Sequence, residues 1–198
     1  VVENSFTAVA AAHAAGAAYI ESDCHLTADG TVVLFHDADL LRVTGDARRV
    51  SEITVGELED LMSARGGLIT LAQALEGFPG VRFNLDVKAK DAAAEVGRIV
   101  GPHAHRVLLT SFSHRILGRI RALGYNGPLG MSQRDAALFL LGPRLPRLLP
   151  RRGAQRLQVP QRYGRINLAT RSYIEKAHAA GLRIDYWVVN NPIEAERL

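Results

Sequence analysis

The chain has 198 residues, 47% of them hydrophobic and 22% charged, which suits a single globular domain with a sizeable core. The longest strictly apolar run, residues 136–141, falls far short of the roughly 20 residues that cross a bilayer, and the single cysteine, Cys24, excludes an internal disulfide and fits a reducing, cytoplasmic setting. Net charge is +4, but residues 136–174 hold eight arginines and no acid, a stretch of +8 that leaves −4 on the remainder.

Short β-like runs alternate with helical stretches. Residues 5–16 are alanine-rich and end on Gly16, which predicts a helix with a glycine stop. Residues 18–26 read as a strand, and a turn at Asp29-Gly30 leads to a second short strand over 32–35. Thr54 with Glu57, and Thr70, mark the starts of helices to about Met62 and Phe78. Pro79-Gly80 breaks the second, and Val81–Lys88 is a strand. Helices over 91–100, 113–123 and 133–141 alternate with strands over 106–111 and 128–132. Residues 142–155 read as a Pro- and Arg-rich loop and 157–159 as a weak strand. A helix over 170–180, a strand over 182–189 and the start of a helix over 192–198 follow.

Repeated β-α units with short strands argue for a parallel sheet covered by helices. The expected class is α/β, a TIM-like (β/α)8 barrel, with an open doubly wound sheet as runner-up. Such a barrel takes about 250 residues. The sequence opens and closes on helices, so the expectation is one barrel domain over 1–198, truncated by a strand at each end.

Residues two apart on a strand share a face. Glu21, Asp23 and His25 therefore project together, and so do Asn84, Asp86 and Lys88. Carboxylates on buried parallel strands are costly unless something compensates them. Three acids (Glu21, Asp23, Asp86) without a cysteine or histidine cluster suit one hard divalent cation, Mg²⁺ or Ca²⁺. Ion pairs with Lys88 and nearby arginines are the plainer alternative. His36, beside Asp37 at the end of the apolar run 32–35, is suited to proton transfer near neutral pH. Cys24 points away from the acids and reads as core. Trp187, the one tryptophan, is by default core as well, with its place near a strand's C-terminal end keeping a ligand platform as the second option.

The order of these residues resembles that of the glycerophosphodiester phosphodiesterase family. The likeness runs through Glu3-Asn4-Ser5, Glu21-x-Asp23-x-His25-x-Thr27-x-Asp29-Gly30, His36-Asp37, Arg42-Val43-Thr44-Gly45, Phe83–Lys88, Ser111-Phe112 and Trp187-x-Val189-Asn190, essentially the whole chain. The resemblance implies a TIM-like barrel that binds one divalent cation and splits small glycerophosphodiesters into glycerol 3-phosphate and an alcohol. It matches Glu21, Asp23 and Asp86 to metal ligands, His36 to one of two catalytic histidines, Lys88 to a phosphate-contacting lysine and Trp187 to a pocket-lining aromatic. Ile69 stands where the family usually has proline. The family's His-Arg-Gly strand precedes its Glu-Asn segment and is not in this sequence, so a fragment without turnover of its own is expected.

A basic patch attracts phosphate esters, nucleic acid or anionic membranes. One rival is therefore a lysophospholipid or sphingolipid phosphodiesterase of the same fold, resting on an anionic membrane through 138–156. Another is a non-enzymatic nucleic-acid binder; sparse aromatics and no nucleic-acid motif argue against it.

Overall fold

In the computed structural model, which describes residues 1–141 and 154–198, the chain forms two units, residues 1–111 with 115–127 and residues 112–114 with 128–198. Residues 142–153 lie outside the described residues, and with them most of the loop and the membrane contact expected around 138–156.

In the first unit Ser5 caps α1 (Phe6–Ala14), its Oγ accepting from the Ala8 N–H at 3.2 Å. Strand β1 (Tyr19–Leu26) turns at Gly30, with φ of 80°, into the antiparallel β2 (Val32–Leu34). A short helix α2 (Leu41–Thr44) follows, which the sequence pattern did not predict. Helices α3 (Val55–Met62) and α4 (Leu71–Gly77) both start in capping boxes, Thr54 with Glu57 and Thr70 with Gln73. Each box satisfies two amide groups that the first helical turn leaves without partners. The carboxylate of Asp29 reaches the same α3 terminus, accepting from Val55 N at 3.1 Å and from Thr27 Oγ1 at 2.5 Å. The Thr27-Ala-Asp29-Gly30 motif thus ties the β1–β2 turn to α3.

Strand β3 (Arg82–Val87), helix α5 (Ala92–Val100), strand β4 (Val107–Thr110) and helix α6 (His114–Ala122) continue the alternation. The order β2-β1-β3-β4 is parallel from β1 onward. Phe83, Leu85 and Val87 are fully buried on one face of β3, and α5 packs there with Ala92, Ala93, Val96 and Val100. The other faces of β1 and β3 are left for the polar side chains.

Arg106, just before β4, holds the segment that ends α4. Its buried guanidinium donates to the carbonyls of Leu75 (2.6 Å), Phe78 (3.2 Å) and Val81 (2.8 Å), serving the C-terminal end of α4. Removing it takes the guanidinium from the Leu75 and Val81 carbonyls, both in buried bonds, while the Phe78 carbonyl keeps the Val81 amide at 3.1 Å. Arg106→Ala is expected to lower unfolding free energy by roughly 3 kcal/mol, read as a reduced urea midpoint. A midpoint unchanged from wild type would show that these bonds add nothing.

In the second unit β5 (Leu129–Gly130), α7 (Gln133–Leu141), β6 (Ala154–Pro160), a hairpin of β7 (Arg162–Tyr163) and β8 (Ile166–Asn167), α8 (Arg171–Ala179), β9 (Arg183–Trp187) and α9 (Pro192–Arg197) follow in order. β5, β6 and β9 are parallel neighbours. Their core joins Phe139, Leu157, Val159, Leu168, Ala177 and Leu182. β6 is longer than the predicted 157–159, and the hairpin was not predicted. Among the described residues no helix is long and apolar enough to cross a membrane.

Candidate active site

Parallel pairing of β1 with β3 sets Glu21 beside Asn84 and Asp23 beside Asp86. Paired residues of neighbouring strands project to one face, with the strands about 4.8 Å apart, so the expected carboxylate cluster forms from two strands. Asp23 and Asp86 are only 4% and 7% exposed. Buried acids side by side need a positive neighbour. Lys88, one residue past β3, provides it: Nζ lies 3.0 Å from Asp23 Oδ1 and 2.7 Å from Asp86 Oδ2. Burial pulls the ammonium pKa down, but hydrogen bonds to Asp86 and Asp23 outweigh it and hold the group above the usual lysine value.

One lysine does not satisfy the whole cluster. The Glu21 carboxyl is pushed up to about 7, first by loss of hydration and then by the negative charges of Asp23 and Asp86. Its side chain still touches solvent, which tempers the dehydration; the repulsion from two neighbouring acids keeps the direction upward. Asp86 Oδ1 and Asn84 Oδ1 are buried without a hydrogen-bond partner among the described residues. A buried acceptor left alone costs on the order of 1–3 kcal/mol. Oxygen donors alone suit a hard cation rather than zinc. As the side chains stand, no three His, Cys, Asp or Glu groups among the described residues converge on a single metal position; Lys88 lies between two of the acids. The donor set nevertheless fits a cation, because Asp86 presents to Lys88 one oxygen and keeps the other, Oδ1, unengaged.

Asn4 holds the cluster in register. It is a non-glycine residue in the left-handed region, with φ of 55°, a conformation asparagine tolerates better than most. Its Nδ2 donates to Asp23 Oδ2 at 3.1 Å, while its Oδ1 accepts from Asp23 N at 3.2 Å and from Ser22 Oγ. The Asp23 carboxylate is thus fixed from both oxygens.

His36 follows β2. Its Nδ1 meets Asp37 Oδ1 at 2.6 Å, Asp37 Oδ2 accepts from Arg42 Nε at 2.6 Å, and Arg42 pairs in turn with Glu3. The bond to Asp37 is the main cause that raises the His36 pKa, and the negative charge of Asp23 adds to it. His36 and Glu21 influence each other electrostatically as well, so the predicted histidine and the acids share one region. With Nδ1 tied to Asp37, Nε2 is the nitrogen placed to exchange a proton with substrate. His25, on the same face of β1, is only 7% exposed, and its Nε2 lies 3.2 Å from the His36 carbonyl. Burial lowers its pKa, which suits a neutral ring that supports the His36 backbone rather than a second proton carrier. Cys24 is fully buried on the opposite face, and burial raises its thiol pKa.

Trp187 belongs to the second unit. It is 44% exposed and meets the half-exposed Phe112 edge-on, with ring centroids 6.4 Å apart. Exposure removes the core reading of Trp187 and leaves it a surface aromatic at a strand end.

Sequence reading missed the parts played by Asn4, His25 and Arg42. The signals were there in part: Asn4 sits between Glu3 and the Ser5 cap, and His25 shares the strand parity of Glu21 and Asp23.

A family model described as the glycerophosphoryl diester phosphodiesterase family matches residues 1–198. A Mycobacterium tuberculosis protein named probable glycerophosphodiester phosphodiesterase 2 is 31% identical over 96% of this chain and 75% of its own length. A rat protein named lysophospholipase D GDPD1 is 34% identical over 46% of this chain and 33% of its own. The solved structure of an Oleispira antarctica phosphodiesterase, in complex with the product sn-glycerol-3-phosphate, aligns with a TM-score of 0.76 at 20% identity, covering 98% of this chain and 82% of that one. These likenesses bear out the α/β, TIM-barrel-like fold class.

Proposed function

The chain belongs to the glycerophosphoryl diester phosphodiesterase family, whose members are phosphoric diester hydrolases, and on that premise we propose that it uses one divalent cation, Mg²⁺ or Ca²⁺, to hydrolyse glycerophosphodiesters to sn-glycerol 3-phosphate and an alcohol. The observation that carries the cation is the pairing of Glu21/Asn84 and Asp23/Asp86, three acids with one lysine and two orphaned buried oxygens. Glu21, Asp23 and Asp86 would hold the ion, with Asp86 Oδ1 its best-prepared donor. Bound there, a cation supplies Lewis acidity toward a non-bridging phosphate oxygen and offsets charge that builds in the transition state.

The side chains of this chain do the rest. Lys88 adds a second positive group for the phosphate. Asn4 keeps the Asp23 carboxylate from rotating. His36, biased toward its protonated form by Asp37, is suited to deliver the Nε2 proton to the alcohol oxygen as the phosphorus–oxygen bond to it breaks.

Glycerophosphocholine incubated with the full-length protein should yield glycerol 3-phosphate and choline. Choline phosphate and glycerol as products would refute the bond assignment, and turnover that survives complete chelation would refute the cation. The likeness to the protein named lysophospholipase D favours a second reading, lysophosphatidylcholine as substrate, and a higher kcat/KM on it than on glycerophosphocholine would select that reading.

Because Asp37 raises the His36 pKa, a rate that needs the protonated ring falls as pH rises through that pKa. Asp37→Asn lowers the pKa, so the alkaline limb of the kcat profile should move to lower pH. An unmoved limb, or one moved upward, would remove His36 from the acid role.

A further inference from the structure

The hairpin of β7 and β8 is unlike its surroundings. All six residues from 162 to 167 are exposed. Tyr163 is paired directly across from Ile166, and Arg162 from Asn167. Cross-strand partners share a face, so Tyr163 and Ile166, 65% and 38% exposed, make one small apolar face. Arg162 lies on the other face and Arg165 in the turn. Neither arginine has an acidic partner within 4.0 Å among the described residues.

The element is held firmly at its base. Gly164, with φ of 56°, makes the two-residue turn that matches strand twist. Leu168 N donates to Gln161 O at 2.8 Å, the Leu168 side chain is buried in the core of the second unit, and its carbonyl accepts from Tyr186 Oη at 2.8 Å. The hairpin leaves the sheet at the C-terminal end of β6, where Pro160 pairs with the exposed Trp187.

We infer that hairpin 162–167 is a contact element for an anionic phospholipid surface, with Tyr163 and Ile166 entering the headgroup–acyl boundary and Arg162 and Arg165 meeting lipid phosphates. An aromatic and an aliphatic residue flanked by guanidinium groups match that boundary chemically. Two apolar side chains offer far less than the roughly 1,000 Å² that a stable protein interface buries, yet they suffice to add to a weak electrostatic attachment. The inference does not rest on the hydrolytic reading, since it concerns residues outside the acid cluster.

The test is sedimentation of the full chain with vesicles of phosphatidylcholine alone and with vesicles containing phosphatidylglycerol, with light scattering of the protein alone. Wild type should bind the anionic vesicles, lose binding at high salt and ignore the neutral ones. Arg162→Ala with Arg165→Ala should weaken binding on the order of 25-fold, taking about fivefold for each basic group. Tyr163→Ser with Ile166→Ser should weaken it on the order of tenfold at the same protein charge. Thermal melting would verify that the exposed substitutions leave the fold intact, and hydrolysis of a water-soluble glycerophosphodiester should be unchanged in both variants. Failure of wild type to bind, equal binding to both vesicle types, or variants that bind like wild type would overturn the proposal. So would variants that alter only self-association, which would make a second copy the occupant.

Discussion

His36→Ala is expected to lower kcat on the order of 10²–10⁴-fold, with little change in KM and only a small loss of stability. The range is what a positioned proton carrier contributes. The small stability cost follows from its setting, since the His36 side chain is about half exposed and tied chiefly to Asp37. The remaining chain of contacts, Asp37 with Arg42 and Arg42 with Glu3, survives the change. The substitution therefore separates proton transfer from folding. A loss of less than threefold in kcat would mean that another group carries the proton and that the His36–Asp37 pair is an ordinary surface contact.

Asp86→Asn tests the cluster at the acid that keeps one buried oxygen unengaged. Two accounts of these acids make different forecasts. If Asp86 only pairs with Lys88, at 2.7 Å, the amide leaves a partly buried ammonium with one anionic neighbour fewer. The damage is then to stability, and the protein's response to cations is unchanged. If Asp86 also holds a cation through Oδ1, the amide removes a charged ligand, and the cation concentration for half-maximal activity should rise on the order of 100-fold. The second outcome is the expected one. The orphaned Oδ1 beside an acid whose pKa is pushed up to about 7 argues that one ammonium leaves the cluster under-neutralised. A metal requirement identical to wild type, combined with a lowered melting temperature, would support the ion-pair account instead.

Local chemistry made much of this structure legible in advance. Alternation along 18–26 and 81–88 separated the acids from Ser22, Cys24, Phe83, Leu85 and Val87, and the buried faces of β1 and β3 follow it. The starts of α3 and α4 were visible because each capping box lies within four residues. What spacing does not carry is register between strands remote in sequence. Glu21 could be seen to share a face with Asp23, but its place beside Asn84, and that of Asp23 beside Asp86, depends on sheet pairing over some sixty residues. Arg106 escaped notice for the same reason, because its acceptors lie at residues 75, 78 and 81. The hairpin of β7 and β8 was missed because two-residue strands are too short for a period of two to show. Lys88 was matched to a phosphate contact, and in the structure it meets Asp23 and Asp86; the proposed cation would share the neutralisation of the acids and free Lys88 for phosphate.

Diffraction from crystals soaked in Mn²⁺, a hard cation visible by anomalous scattering, tests the central claim most directly. The account predicts one anomalous peak within coordination distance of Glu21, Asp23 and Asp86 and a much weaker one in the Asp86→Asn variant soaked at the same concentration. No peak at the cluster, with Lys88 still bridging Asp23 and Asp86, would contradict it.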